Sequence, residues 1–371
     1  MSTYVVVGAG LTGAATAWQL ARRGHEVTVL ERTAPANAQG SSHGSARIFR
    51  YGYPDVFYAQ LVVEARAEWS ELERVAGEQL ITPTGALDFG VERDPAGLAR
   101  VFEQVGVEHE LLTREEAASR WPGLAPDSDV LWHPGAGVID AERSVLAMLA
   151  AAAADGARVE HGWPVHRVER AGAGLRVVAE DGRTVEAEHV VVAAGGWLPD
   201  LLGSLGLPEP LLAAFPPLTV REENAFHFRY RDDRPWPTFI HKSPAIQVYG
   251  LPGGRDAGFA GQKVAEYNGG RAIPSAAAQR GVVDEANRAR VTAYVERMLP
   301  GLDPEPYAET TCLFTNTPTE DFVIDGADGV TIASPCSGHG AKFAPLLGRI
   351  VADAAGGERT PPEPFRLGGV R

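Results

Sequence analysis

The chain has 371 residues, 44% hydrophobic and 22% charged, enough for two domains with sizeable cores and ordinary for a globular protein. Its net charge of −14 argues against nucleic acid or an anionic membrane as the main partner. Two cysteines, Cys312 and Cys336, exclude a disulfide framework and suit a reducing cytoplasm. No apolar stretch has the length and freedom from charge of a transmembrane helix, and the first strand begins too early for a signal peptide.

Residues 4–7 (Tyr-Val-Val-Val) are a β-branched run that predicts a buried parallel strand. Gly8-Ala9-Gly10-Leu11-Thr12-Gly13 follows at once. Residues 14–23 then read as a helix with Ala14, Ala17, Trp18 and Ala21 on one face, ended by Gly24; residues 27–30 are a second strand closing on Glu31. Strand, G-x-G-x-x-G, helix, strand, acid is the order of a βαβ nucleotide site. Gly8 allows the tight turn, Gly10 the approach of a pyrophosphate, and Gly13 close packing of helix on strand. The helix N-terminus offers N–H groups to phosphates, and Glu31 stands where a carboxylate accepts from ribose hydroxyls. The motif alone does not choose between FAD and NAD(P).

A loop occupies 33–40. The run 41–51 is rich in small residues and carries His43, Arg47 and Arg50, either to present cations to a cofactor or as a plain solvated loop. A long helix is predicted over 54–76. From 82 to 137, strand-like runs (86–91) alternate with short helices (94–105, 114–121). The apolar helix 141–154 should pack on the nucleotide sheet, and strands follow at 157–160, 165–170 and 175–178. The apolar strand from 189 runs into Gly195-Gly196-Trp197, a second place where backbone can approach a cofactor. Extended runs at 225–230, 238–241 and 246–251 predict an antiparallel sheet in a separate substrate domain. A helix at 283–299 is followed by strands at 307–314, 321–325 and 329–334. Ser337-Gly338-His339-Gly340 then leads into a helix over 341–355, and 361–364 reads as a surface extension. No His/Cys/Asp cluster has metal-ligand spacing, and no nucleophile triad is evident.

Four clusters accompany the nucleotide motif. They are Ser42-His43-Gly44-x-x-Arg47-Ile48-x-Arg50; Tyr249-Gly250-Leu251-Pro252; Cys312-Leu313-Phe314-Thr315-Asn316-Thr317 with Asp321-Phe322-Val323-Ile324-Asp325; and Ser337-Gly338-His339-Gly340-x-Lys342-Phe343. In this order, over nearly the whole chain, they resemble the monomeric sarcosine oxidase and N-methyltryptophan oxidase family, within the D-amino acid oxidase group of flavoproteins. The resemblance selects FAD over NAD. It implies a covalent bond from Cys312 to the flavin ring, where the alternative is a buried structural cysteine. It places Arg50 and Lys342 on the substrate carboxylate, Arg47 against the flavin, His43 beside the site, and Tyr249 in the pocket wall. It implies that Lys263 speeds the reaction with oxygen at the flavin's reactive edge. Cofactor contacts are implied from Gly8, Gly10, Leu11, Thr12, Gly13, Glu31, Arg32, Ser41, Ser42, Arg47, Val168, Ala194, Gly195, Trp197, Cys312, Gly338, Gly340 and Lys342. Tyr267 stands where the family usually has a histidine and is placed with the substrate. Cys336 reads as a packing residue. Ala341 replaces a bulkier residue and leaves room for a larger side chain or a ring.

The expected fold is α/β: a Rossmann-type FAD-binding domain (1–80, 140–212 and 316–371) interleaved with a mixed or antiparallel-sheet substrate domain (81–139 and 213–315). The expected activity is oxidation of the C–N bond of a secondary or N-methyl amino acid to an imine, with O2 reduced to hydrogen peroxide, by a cytoplasmic monomer. Two alternatives stay open: an imine-forming oxidase of a cyclic amino acid, and an FAD-dependent dehydrogenase that uses an electron carrier instead of O2.

Overall fold

The structure is a computed structural model that describes residues 1–368, so the last three residues of the expected 316–371 segment lie outside it. Thr3–Val7 is the centre of a six-stranded sheet ordered Val323–Ala327, Val330–Ser334, His189–Val192, Thr3–Val7, Glu26–Leu30, Arg158–Glu160. Every neighbour pair is parallel except the outermost, Val323–Ala327 on Val330–Ser334. The helix Leu11–Ala21 packs on this sheet and against Ala344–Ala355 and Ala141–Ala154. Sequence periodicity gives it one apolar face, but residues on every side are buried, because two helices and the sheet enclose it. Its small residues allow that approach. A Cβ at Gly13 would stand 1.9 Å from Gly8 O, and Gly8 turns with φ +100°.

A nine-stranded sheet draws its strands from 86–133 and 219–316. Its order is Arg271–Ile273, Thr219–Tyr230, Gly261–Glu266, Gln247–Pro252, Thr238–Lys242, Ala86–Phe89, Val130–His133, Glu110–Leu112, with Leu302–Asn316 also on Thr219–Tyr230. One pair, Thr238–Lys242 with Ala86–Phe89, is parallel and the others are antiparallel, which agrees with the expected mixed α/β class. Arg47–Phe49 and Ile81–Pro83 flank Gly137–Ile139 in a small sheet that ties the two parts together.

Among the elements that differ from sequence expectation, three have an evident cause. The strand expected at 225–230 begins at Thr219, because Glu222, Glu223 and Asn224 are buried rather than solvated. Arg271 and the Arg280 and Gly281 amides satisfy Glu222, while the Gly270 amide bonds to Glu223. The helix expected from 341 begins at Ala344, after a tight 3-10 turn over Gly340–Phe343. The segment 361–364 is not a free extension. It carries Phe365 into the core, with ring centroids 5.5 Å from Phe57 and 5.2 Å from Phe322. Removing that ring leaves a cavity, so Phe365→Ala should lower stability by about 3–5 kcal/mol in urea unfolding of the holoprotein.

Candidate active site

Strand alternation builds one wall of the site. Across the antiparallel pairs, Leu251 faces Lys263, Lys263 faces His227, and Glu223 faces Cys312. Even spacing along each strand puts Lys242, Ile240, Tyr249, Leu251, Lys263, Cys312 and Phe314 on the same face of the nine-stranded sheet. All seven line a cavity of about 290 Å³. Further lining comes from the segment around Arg47, Arg50 and Tyr53 and from the turn carrying Gly338, Ala341 and Lys342.

Arg50 reaches the cavity from a loop that is held from behind. Its Nη1 donates to Gly52 O, and its guanidinium lies 5.0 Å over the Tyr53 ring. Arg93 Nη2 donates to the same carbonyl at 2.5 Å and its Nε to Asp88 Oδ1 at 2.6 Å. His133 Nε2 completes the group, 3.1 Å from Asp88 Oδ2. Burial alone would push the Asp88 carboxyl up, but Arg93 and then His133 outweigh it and hold it well below the usual range. Lys342 donates to Tyr53 Oη at 2.9 Å and His339 O at 2.7 Å. Tyr53 Oη is 2.9 Å from His339 Nδ1, and His339 Nε2 is 3.0 Å from Glu320 O. The carbonyl must accept from Nε2–H, so Nδ1 accepts from the tyrosine, whose oxygen accepts from the lysine. Burial, with Lys342 next, lowers His339 to about 3, so it stays neutral. Burial, then Arg50 and Arg93, lowers Lys342 well below a free lysine.

Lys263 is buried, and burial with Arg47 lowers its ammonium to about 8. Arg47 is anchored through Ser41 O at 3.0 Å and Ala46 O at 2.9 Å. Burial raises the Cys312 thiol, opposed by Arg47 and Lys263. Burial also raises Tyr249 well above a free tyrosine. His43 does not line the cavity; burial, then Arg47 and Lys263, lowers it to about 4, and its Nε2 is buried without a hydrogen-bond partner among the described residues. Tyr267 does line the cavity. Its hydroxyl donates to Glu320 Oε1 at 2.8 Å, and burial followed by Glu320 raises its pKa, so this position carries no titrating group near neutrality.

A second cavity, about 130 Å³, runs along the glycine-rich turn. Gly8, Gly10, Leu11, Thr12, Glu31, Arg32, Ser41, Ser42, Ala194, Gly195 and Trp197 line it. The helix Leu11–Ala21 starts there with no side-chain cap from Gly10, and a Cβ at Gly10 would sit 2.9 Å from Ser42 Oγ, which accepts from Leu11 N–H at 3.0 Å. Glu31 accepts from Ala9 N–H at 2.8 Å and Thr33 N–H at 3.0 Å, which holds the turn against the second strand. A helix start whose own N-cap residue has no side chain, in a turn with no room for one, is the cradle a pyrophosphate requires, so the residues present fit a dinucleotide.

Four expected positions are placed differently. Val168 does not line this cavity; it is buried in a core with Val165, Leu201 and Leu205, and Trp163 and Val165 face the cavity instead. Simple alternation would put valines three apart on opposite faces, but a register shift between 165 and 167 turns both into the same core. Gly13 and Gly340 act one layer back. A Cβ at Gly340 would meet Pro335 O at 1.8 Å, and Pro335 lines the cavity. Cys336 is not only a packing residue, since it lines the dinucleotide cavity, its thiol raised by burial to about 11. Sequence reasoning did not single out Lys242, Tyr53, Asp88, Arg93 or His133. Only Arg93 had a visible signal, a charge at a helix start that the fold buries.

Residues 3–354 match the family described as FAD dependent oxidoreductase (DAO). The chain is 34% identical to the monomeric sarcosine oxidase of Streptomyces avermitilis, covering 95% of this chain and 92% of that one. It is 32% identical to the human peroxisomal sarcosine oxidase (94% and 90% covered) and 30% to the N-methyl-L-tryptophan oxidase of Yersinia pestis (94% and 93%). Among solved structures it resembles NikD, an unusual amino acid oxidase essential for nikkomycin biosynthesis, with TM-score 0.83 at 28% identity over 97% of this chain and 95% of that one. The L-proline dehydrogenase of P. horikoshii has the same fold, with TM-score 0.81 at 21% identity, covering 97% and 94%.

The ion pair beneath the cavity offers a test of how firmly its floor is held. Asp88→Ala leaves Arg93 buried without its counter-charge and should cost about 3–5 kcal/mol in urea unfolding. Glu26→Ala, which breaks the exposed pair with Arg158, should stay within about 1 kcal/mol.

Proposed function

Because the chain belongs to the FAD dependent oxidoreductase (DAO) family, we propose that it is an FAD-dependent oxidase of a secondary or N-methyl amino acid, using O2 and acting as a cytoplasmic monomer. The observation that carries this reading is that Arg50 and Lys342 line one cavity together with Tyr249, Lys263 and Cys312. Bound FAD supplies the redox chemistry, the transfer of two electrons from the C–N bond to O2 with hydrogen peroxide and an imine as products.

The protein's part is binding and charge. Arg50 offers a planar fork to the substrate carboxylate. Lys342 spends two N–H groups on Tyr53 and His339 O, which leaves its third for the same carboxylate. An arriving anion offsets the burial and the neighbouring cations that disfavour the Lys342 charge. Tyr249, kept protonated by burial, is a hydrogen-bond donor in the wall. Lys263 is cationic at neutral pH and supports negative charge that develops as oxygen is reduced. Gly8 to Thr12, Ser42 and Ala194 to Trp197 would hold the dinucleotide, and Cys312 would be the attachment point for the ring. The imine is hydrolysed by water unless its nitrogen lies in a ring.

A cyclic substrate is the second reading. Ala341 lines the cavity with a methyl group only, which leaves room for a ring. Piperidine-2-carboxylate turned over faster than N-methylalanine would favour it; no turnover of the ring would remove it.

Two measurements test the main reading. Acid-precipitated protein should stay yellow and exceed its sequence mass by one FAD, and Cys312→Ser should release the colour; flavin that washes off the native protein removes the covalent bond. Lys263→Met should slow reoxidation by O2 about 100-fold, the cost of one charge-stabilising donor, in stopped-flow traces. The rate with O2 should fall as pH rises through about 8, where Lys263 loses its proton, and that slope should vanish in the variant.

A further inference from the structure

The substrate end of the cavity carries more positive charge than one carboxylate uses. Arg50, Lys342 and Lys242 all line it, and among the described residues none of the three is in an ion pair. Arg93 lines it as well and is already neutralised by Asp88. On the acidic side, Asp55 caps the helix Val56–Ala76 through Phe57 N–H. Glu320 receives the Tyr267 hydroxyl at 2.8 Å, and its backbone oxygen holds His339.

Lys242 is the last residue of the strand Thr238–Lys242, two positions beyond Ile240 and on the same face as Tyr249. Its ammonium stands over the Tyr267 ring, 5.7 Å from the centroid. Burial, then Arg93 and Arg50, disfavour its charge and outweigh the support it receives from Glu320 and Asp88, neither of which is in contact with it as an ion pair. An unpaired, half-buried cation beside two others reduces stability, so its position is explained by an anion that arrives from outside. Arg50 and Lys342 are committed to the α-carboxylate in the reading above, and Lys242 comes from a strand of the nine-stranded sheet rather than from the segments that carry those two.

We propose that Lys242 binds a second carboxylate of the substrate, so that the preferred substrate is an N-methyl or secondary amino acid with an acidic side chain. This rests on the oxidase reading of the same site. Lys242 sets specificity: it recognises the distal carboxylate and takes no part in the redox step. A charge-assisted hydrogen bond to that group corresponds to about 10- to 100-fold in kcat/KM.

The test compares N-methyl-L-aspartate and N-methyl-L-glutamate with N-methyl-L-alanine on the holoenzyme and on Lys242→Met and Lys242→Arg. One of the two dicarboxylates should exceed N-methylalanine by tenfold or more. Lys242→Met should bring that ratio to about one, and Lys242→Arg should retain it. Wild-type preference for N-methylalanine over both dicarboxylates, or a ratio that survives Lys242→Met, overturns the assignment. The second readout is binding of 2-(methylthio)succinate against (methylthio)acetate, thioethers that carry no amine, followed by perturbation of the flavin absorbance. Tighter binding of the dicarboxylate that depends on Lys242 supports the assignment, and equal binding overturns it. If no amine bleaches the flavin, the oxidase reading falls, and the thioether pair still decides the role of Lys242.

Discussion

Positive charge held against a buried cavity is the constraint on which the rest of the site depends. Lys263 and Lys342 are each no more than 4% exposed, and both are disfavoured there by burial and by arginine neighbours. Such groups stay cationic only if their surroundings are rigid and if an anion can arrive. The protein supplies rigidity from outside the cavity. Asp88 neutralises Arg93, Arg93 grips Gly52 O, and Gly52 O in turn holds Arg50. On the other side, Trp69 donates to Lys342 O at 2.7 Å and pins the 3-10 turn to the long helix Val56–Ala76. The anion is left to the ligand. A pocket built this way discriminates by charge before shape, because an uncharged ligand leaves several cations unpaired.

The dinucleotide cavity follows a different rule, exclusion of side chains rather than supply of charge. Gly13 lets the first helix close on the turn at Gly8, and the missing side chain of Gly10 makes room for Ser42, which comes from a loop more than 30 residues later. Glu31 joins the turn to the second strand through Ala9 N–H. The two cavities share their supports. Ser41 lines the dinucleotide cavity while its carbonyl holds Arg47, which faces the other. A single segment, 41–50, therefore couples the cofactor's position to the charge at the reacting end.

Much of this is legible in the chain, for identifiable reasons. The strand Thr3–Val7 and its glycine turn are local, so a short window contains their physics. The strand at 219–224 is not legible, because Arg-Glu-Glu-Asn reads as solvated until Arg271 and three distant amides are folded against it. Phe365 sits in a proline-rich tail that looks like an extension until Phe57 and Phe322 provide its pocket. Tyr267 reads as a departure from a family pattern, and only its bond to Glu320 shows what it does.

By itself the sequence determined the class of fold, the glycine cradle, and which residues carry the chemistry of cations, thiol and phenol, since these depend on residue type and short spacing. Tertiary structure alone decided which of them meet. Lys242, Tyr249, Lys263 and Cys312 come from four strands, and they share a wall because antiparallel register sets which even positions lie side by side. Asp88 and His133 meet for the same reason, Arg93 joins them from the turn before the helix Pro95–Val105, and Val168 and Cys336 exchanged their expected surroundings. Side-chain type is written locally, but the dielectric around a charge and the partner across from it are properties of the assembled sheets.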